Sequence, residues 1–291
     1  MFKKTLPLVL IIFLISCAST PTYNSNGKLN NYSVIKSVDE HTVAVAAICE
    51  MSEEEYNRRL REGKKNILHI NRSVKMYPLQ LAIPLEKSGN PNKFIAYLGA
   101  GKIISDGNKF SQHIILCSHV VSHDDGAYSM SIWVFKDNLD QAIPATIVAK
   151  TDMEPWTDDY AVIKTEKHFG LPGLKLAKAD EVKKFDKVIF SGSVGGLAFF
   201  SRMVNVTTFR NFFKRGADGK LHLSYWTDYN FWIVYPGGGG DSGGSVCTLD
   251  GKIFSIMAWG VIVYEEAYIM GNPTSKLLDF LHYHDLEYLG K

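Results

Sequence analysis

The sequence predicts an all-β fold closed by a C-terminal helix, and three observations carry that prediction. A dozen short apolar segments recur beyond Leu68, with Gly, Asn, Asp or Pro between them, the texture of sandwiches and barrels. They do not alternate with helical stretches as βαβ units would. At the end, Thr274–His284 (TSKLLDFLHYH) spaces Leu277, Leu278 and Leu281 as a helix does. The chain has 291 residues, 46% of them hydrophobic, which is ample for a packed core. Its 32 Lys+Arg against 30 Asp+Glu leave a net charge of +2 and no global pull toward nucleic acid. A disordered, collagen-like or disulfide-dense chain is excluded by the same composition.

Taken in order, the chain opens on MFKKTLPLVLIIFLISC. Lys3 and Lys4 precede an apolar run, Leu6–Ile15, that is too short to span a bilayer and fits the core of a secretory signal. Leu14-Ile15-Ser16-Cys17 resembles the bacterial lipobox, which implies removal of residues 1–16 and lipid on the sulfur of Cys17. Residues 17–40 then read as a polar tether. That places the body, residues 41–281, in a bacterial cell envelope, with 282–291 as a C-terminal tail. Ser52 and Glu55 have capping-box spacing, so Glu53–Glu62 is a short charged helix with a solvated face, stopped by Gly63.

The strands expected after it are Phe94–Leu98, Lys102–Ser105, His113–Leu116, Tyr128–Phe135, Ala145–Ala149, Ala161–Lys164 and Lys187–Phe190. Met203–Phe209, Leu221–Trp226, Gly244–Thr248, Ile253–Trp259 and Val261–Tyr264 complete the set. With Cys17 as the anchor, Cys49, Cys117 and Cys247 allow at most one internal disulfide, and the sequence does not say which.

Three segments carry chemistry. Pro236-Gly237-Gly238-Gly239-Gly240-Asp241-Ser242-Gly243-Gly244 sets a serine on a tight, glycine-rich turn. A nucleophilic hydroxyl needs that exposure, with backbone N–H groups free to face an oxyanion. His119 closes the apolar strand His113–Leu116 through Cys117 and Ser118, where an imidazole can face a cleft. That context raises it above His41, His69, His123 and His168 as the base. His113, Cys117, His119 and His123 lie close in sequence, but their spacing matches no zinc motif. Asp159 abuts the strand Ala161–Lys164 and is the favoured acid; Asp152 and Asp158, in the loop before it, are its competitors.

The order His119, Asp159, Ser242, with Cys117-Ser118-His119, Asp159-Tyr160-Ala161-Val162 and Gly240-Asp241-Ser242-Gly243-Gly244, resembles the trypsin-like (chymotrypsin-fold) serine proteases. The stretch Ala145–Val162 looks like bacterial members, including those of DegP/HtrA type; no PDZ-like extension follows Leu281. The resemblance runs from about Tyr97 to Leu281 and implies two antiparallel six-stranded β-barrels with the site between them. It also implies Ser242 as nucleophile, His119 as general base and acid, and Asp159 as orienting acid. The N–H groups of Gly240 and Ser242 would form the oxyanion hole. Pro236 and Gly237 would floor the specificity pocket, and Ala258-Trp259-Gly260 would pair with a peptide substrate. Glu265 and Glu266 read as loop charges near that pocket.

Cys117, Ser245 and Asp241 mark the departures. Cys117 stands where the family has Ala and Ser245 where it has Pro; Asp241 needs a buried partner, either an internal Lys, Arg or hydrogen-bond donor or an amine freed by a second cleavage. The expected function is a lipid-anchored serine endopeptidase with a protein or peptide substrate, no cofactor and no metal. A catalytically silent protease-fold lipoprotein is the alternative. A serine esterase would show Gly-x-Ser-x-Gly within an α/β pattern, which is absent here.

Overall fold

The computed structural model describes residues 31–59, 61, 93–136, 141–152, 159–183, 186–194, 198–215, 221–231, 242–263 and 266–291. Twelve strands run through them: β1 (Thr42–Met51), β2 (Lys93–Ile103), β3 (His113–Leu116), β4 (Ser129–Phe135), β5 (Ile143–Lys150) and β6 (Ala161–Thr165) come first. β7 (Lys187–Val194), β8 (Ala198–Arg215), β9 (Leu221–Phe231), β10 (Ser245–Cys247), β11 (Ile253–Val263) and β12 (Glu266–Pro273) follow. The first six close an antiparallel barrel in the order β1-β2-β3-β6-β5-β4. The second six form an antiparallel sheet, β10-β11-β12-β9-β8-β7, in which β7 pairs back onto β10. The mostly β architecture and the C-terminal helix (Thr274–Tyr283) agree with the sequence reading.

Individual strands correct that reading. Phe94–Leu98 and Lys102–Ser105 are one strand, β2, running straight through Gly99-Ala100-Gly101. Ile253–Trp259 and Val261–Tyr264 are likewise one strand, β11, ending at Val263. Two strands were not foreseen, β1 and β12. β1 (TVAVAAICEM) is buried along almost its whole length, so it shows no polar alternation, and its alanines are poor strand formers. Val43 and Val45 point into the main core, whereas Ala44, Ala46 and Ile48 pack with Ala96 and Phe135 in a second cluster. β12 (EAYIMGNP) opens on a charge and ends on turn formers.

Segments at both ends of the described residues pack into the body. Within the expected tether 17–40, Asn31–Glu40 is an α-helix whose Val34 and Val38, one turn apart, are buried in the main core. The expected tail 282–291 also packs: Leu286 and Leu289 are buried, and Gly290 donates to the Ser105 carbonyl while its own carbonyl accepts from Leu176. Asp285, at φ 57°, turns the chain back after the helix and lets Leu286 N–H reach the Leu281 carbonyl. Apolar residues separated by short polar gaps hid both packed segments.

Residues 53–59 are helical, with Ser52 Oγ accepting from Glu55 N–H at 3.2 Å as the capping box requires. Residues 1–30, with Cys17, lie outside the described residues, and no described helix is long and apolar enough to cross a membrane. Cys49, Cys117 and Cys247 are all free and buried, so no disulfide joins them.

Candidate active site

His119 sits on a single 3-10 turn, Ser118–Val121, directly after β3. The strand is buried at every residue, which fixes where the turn begins. Asp159 precedes β6, the partner of β3, with Leu116 opposite Ala161. This antiparallel register brings residues forty positions apart together: His119 Nδ1 lies 2.5 Å from Asp159 Oδ2. The other carboxylate oxygen accepts from the His119 backbone N–H at 2.9 Å. Asp159 is 8% exposed and therefore depends on these bonds. Two contacts from one carboxylate fix both the ring and the backbone that carries it. Asp152 is exposed and Asp158 lies outside the described residues.

The Ser242 turn approaches from the side of the second sheet. Its carbonyl accepts from Ala100 N–H on β2 at 2.7 Å, and Gly243 N–H donates to the Met257 carbonyl at 2.9 Å. The Cys117 thiol donates to that Met257 oxygen at 2.8 Å. One carbonyl on β11 thus receives a donor two residues before His119 and another one residue after Ser242. Gly243 adopts φ +87°, and a Cβ there would fall 2.0 Å from the Ala100 oxygen. Gly99 makes the matching approach, since its Cβ would fall 2.6 Å from Val120 and 2.8 Å from the Ser242 oxygen. The small residues that broke β2 in the sequence reading are what lets Ser242 approach.

His41, His113, His123 and His168 have other partners. His41 is buried, with Nδ1 2.6 Å from the Ser37 carbonyl, and desolvation lowers its pKa. His113 pairs with Asp106 at 2.9 Å, and His168 Nδ1 accepts from Gly170 N–H. His123 stacks on Tyr97 at 3.5 Å between ring centroids, and burial lowers its pKa to about 4. His69 lies outside the described residues.

The helix at 53–59 is not merely a solvated face, because Arg59 turns inward. It bonds Glu55, the Tyr97 hydroxyl and the His123 carbonyl, tying down the loop that leaves His119. An arginine within EEEYNRRLREGKK gave no sign of that role.

Cys117, His119 and Asp159 place ligand atoms within 4.8 Å of one another. The donor chemistry does not suit a metal. Burial pushes the Cys117 thiol well above its ordinary pKa, and its proton is engaged at Met257. His119 Nδ1 is engaged by Asp159.

Of the other expected site residues, Pro236, Gly237, Gly240 and Asp241 lie outside the described residues, as does Glu265. Ala258, Trp259 and Gly260 are on β11, where Trp259 pairs with Met270 and Gly260 with Ile269. The register shifts between Met257 and Trp259, so Ala258 falls at a bulge beside the carbonyl that joins the two turns. Glu266 is a strand residue, opposite Val263.

No protein-family profile and no curated protein matches the sequence. Solved structures do match in shape. The Rv3671c protease of M. tuberculosis in its active form aligns with TM-score 0.54 at 17% identity, covering 87% of this chain and 84% of its own. The HtrA-type protease AlgW with a decapeptide aligns with TM-score 0.56 at 16% identity, covering 88% of this chain and 68% of its own. A serine-to-alanine variant of AlgW, also with a decapeptide, aligns with TM-score 0.55 at 17% identity, covering 87% and 66%. Such identities speak for architecture alone, and on that level the chain has the fold of the trypsin-like serine proteases.

Proposed function

We propose that this protein is a serine endopeptidase. The observation that carries the reading is the His119–Asp159 pair, joined at 2.5 Å on a turn that shares the Met257 carbonyl with the Ser242 turn. Asp159 holds Nδ1–H, which leaves Nε2 as the basic nitrogen. His119 takes the Ser242 hydroxyl proton as Oγ bonds the scissile carbonyl carbon. The resulting oxyanion rests on the N–H groups of Gly240 and Ser242. The imidazolium then gives its proton to the leaving amine as the C–N bond breaks, and an acyl-Ser242 remains. Water repeats the sequence from the other side and releases the acid.

The substrate is a protein or peptide, laid as a strand along Ala258–Gly260 with its side chain toward Pro236 and Gly237. The peptide held by AlgW supports that class of substrate. The second six-stranded sheet is read as the second barrel of the pair. Cys17 carries lipid and holds the catalytic body at a bacterial membrane surface in the cell envelope.

Fluorophosphonate labelling tests the chemistry. Wild type should label, and Ser242→Ala and His119→Ala should not. Labelling that persists in Ser242→Ala overturns the mechanism, and an unlabelled wild type favours the silent scaffold. Radiolabelled palmitate tests the anchor, with incorporation expected in wild type and lost in Cys17→Ser.

A further inference from the structure

Lys102 on β2 has no exposed surface. Its ammonium donates to the Val38 carbonyl at 2.8 Å, to Ser191 Oγ at 2.5 Å and to Thr42 Oγ1. Thr42 Oγ1 in turn donates to Val38 O and lies 3.0 Å from Ser191 Oγ. Among the described residues no carboxylate bonds this ammonium. Burying an ammonium against neutral partners is costly. What offsets the cost is the C-terminal end of the helix Asn31–Glu40, whose last carbonyls carry partial negative charge. Lysine here caps a helix from inside the protein.

Two routes lead from that contact to the Ser242 turn, and a third arm leads to the N-terminal helix. Two residues before Lys102 on the same strand, Ala100 N–H holds the Ser242 carbonyl at 2.7 Å. Ser191 on β7 is the register partner of Ser245, the first residue of β10 after the turn. The third arm is the N-terminal helix, which Asp39 also ties to β8 through Ser201 Oγ at 3.0 Å. One side chain therefore joins β2, whose Ala100 holds Ser242, to β7, whose Ser191 pairs with Ser245, and to the helix Asn31–Glu40.

We propose that Lys102 is a positioning residue that couples docking of the helix Asn31–Glu40 to the placement of Ser242. The helix Asn31–Glu40 is then part of the machinery that sets the nucleophile and more than a spacer. The kinetic side of this inference rests on the endopeptidase reading; the structural side does not.

Lys102→Met keeps the length and apolar stem of the side chain and removes its three donors. With the full chain folded by circular dichroism, we expect exchange of the amides in 33–40 and in 242–247 to quicken together, by about tenfold. Amides of β4 and β5 should be unchanged. Fluorophosphonate labelling should slow, and kcat should fall by about tenfold with KM little moved, because the substrate strand is untouched. Faster exchange confined to the helix, or none, overturns the coupling.

Ser191→Ala removes one arm at small structural cost and is read in the same way if Lys102→Met does not fold. It should show the same paired change at smaller size, and no change in 242–247 overturns the proposal. A wild type that does not label refutes the endopeptidase reading alone, since the exchange measurement needs no activity.

Discussion

The His119 turn and the Ser242 turn meet at one carbonyl and are held by different kinds of bond. Around His119 the contacts come from side chains. Asp159 takes both the ring and the backbone N–H, Cys117 reaches Met257, and Ser118 Oγ donates to the Thr151 carbonyl at 2.7 Å. Among the described residues, those around Ser242 run from backbone to backbone: Ala100 to Ser242, Gly243 to Met257, and Met257 to Gly244. The first turn depends on what its residues are. The second depends on how closely main chains approach, and therefore on the absence of side chains at Gly99 and Gly243. The two turns should fail differently: one by losing chemistry with the fold intact, the other by losing structure.

The largest effect should come from Asp159→Asn. Asparagine fills the same space but presents an amide, so it no longer secures Nδ1–H, and kcat should fall by about 10⁴-fold with the fold retained. Steady-state kinetics beside a thermal melt checks this. A melt that collapses would show that the His119 turn is held structurally after all.

Gly243→Ala is the counterpart on the other side. Its Cβ would fall on the Ala100 oxygen at a backbone φ of +87°, so stability should drop on the order of 4 kcal/mol, carrying activity with it. Urea unfolding measures it. A stable but inactive Gly243→Ala would erase the distinction between the turns.

The same distinction explains what could be read from the sequence. The pairing of His119 with Asp159 was legible because an imidazole and a carboxylate at the ends of neighbouring strands can meet. Asp159 could be picked over Asp152 from its place beside β6 alone. The contacts that place Ser242 were not legible. Gly99-Ala100-Gly101 looks like a break between strands, because a glycine that admits a neighbouring backbone and one that makes a turn are spelled alike. β1 was hidden for a related reason: a strand buried on both faces has no polar period to detect. Lys102 and Arg59 escaped because charged residues are taken to face water, and only the fold shows them turned inward.

Lys102 gives a smaller effect that probes the seam between the two regions. Burial lowers its pKa from 10.5 to about 8, and Asp39, Cys247, Lys136 and His41 are the titratable groups that feel it. Between pH 8 and 10.5 the unfolded chain holds a proton that the native state has released, so stability rises with pH across that window. The penalty is fully present below pH 8 and at most about 3 kcal/mol. Lys102→Met lacks it, so the stability difference between variant and wild type should change by up to that amount from pH 7.5 to 10. Chemical denaturation at both pH values reads the difference, and a constant gap would mean that the ammonium is not desolvated in solution.

Cys117→Ala should have the smallest effect, and it tests the comparison where the turns touch. Removing the thiol takes one donor from the Met257 carbonyl but leaves it the Gly243 N–H, so no buried acceptor is orphaned. The loss should be about 1 kcal/mol of stability. Cys117→Ser restores a donor of similar reach and should recover part of it. If the Ser242 turn rests on backbone bonds, both variants keep a labelling rate near that of wild type. A labelling rate that falls tenfold or more in Cys117→Ala and returns in Cys117→Ser would mean that a side chain of the His119 turn holds Ser242 in place. The division between the two turns would then be wrong at its point of contact.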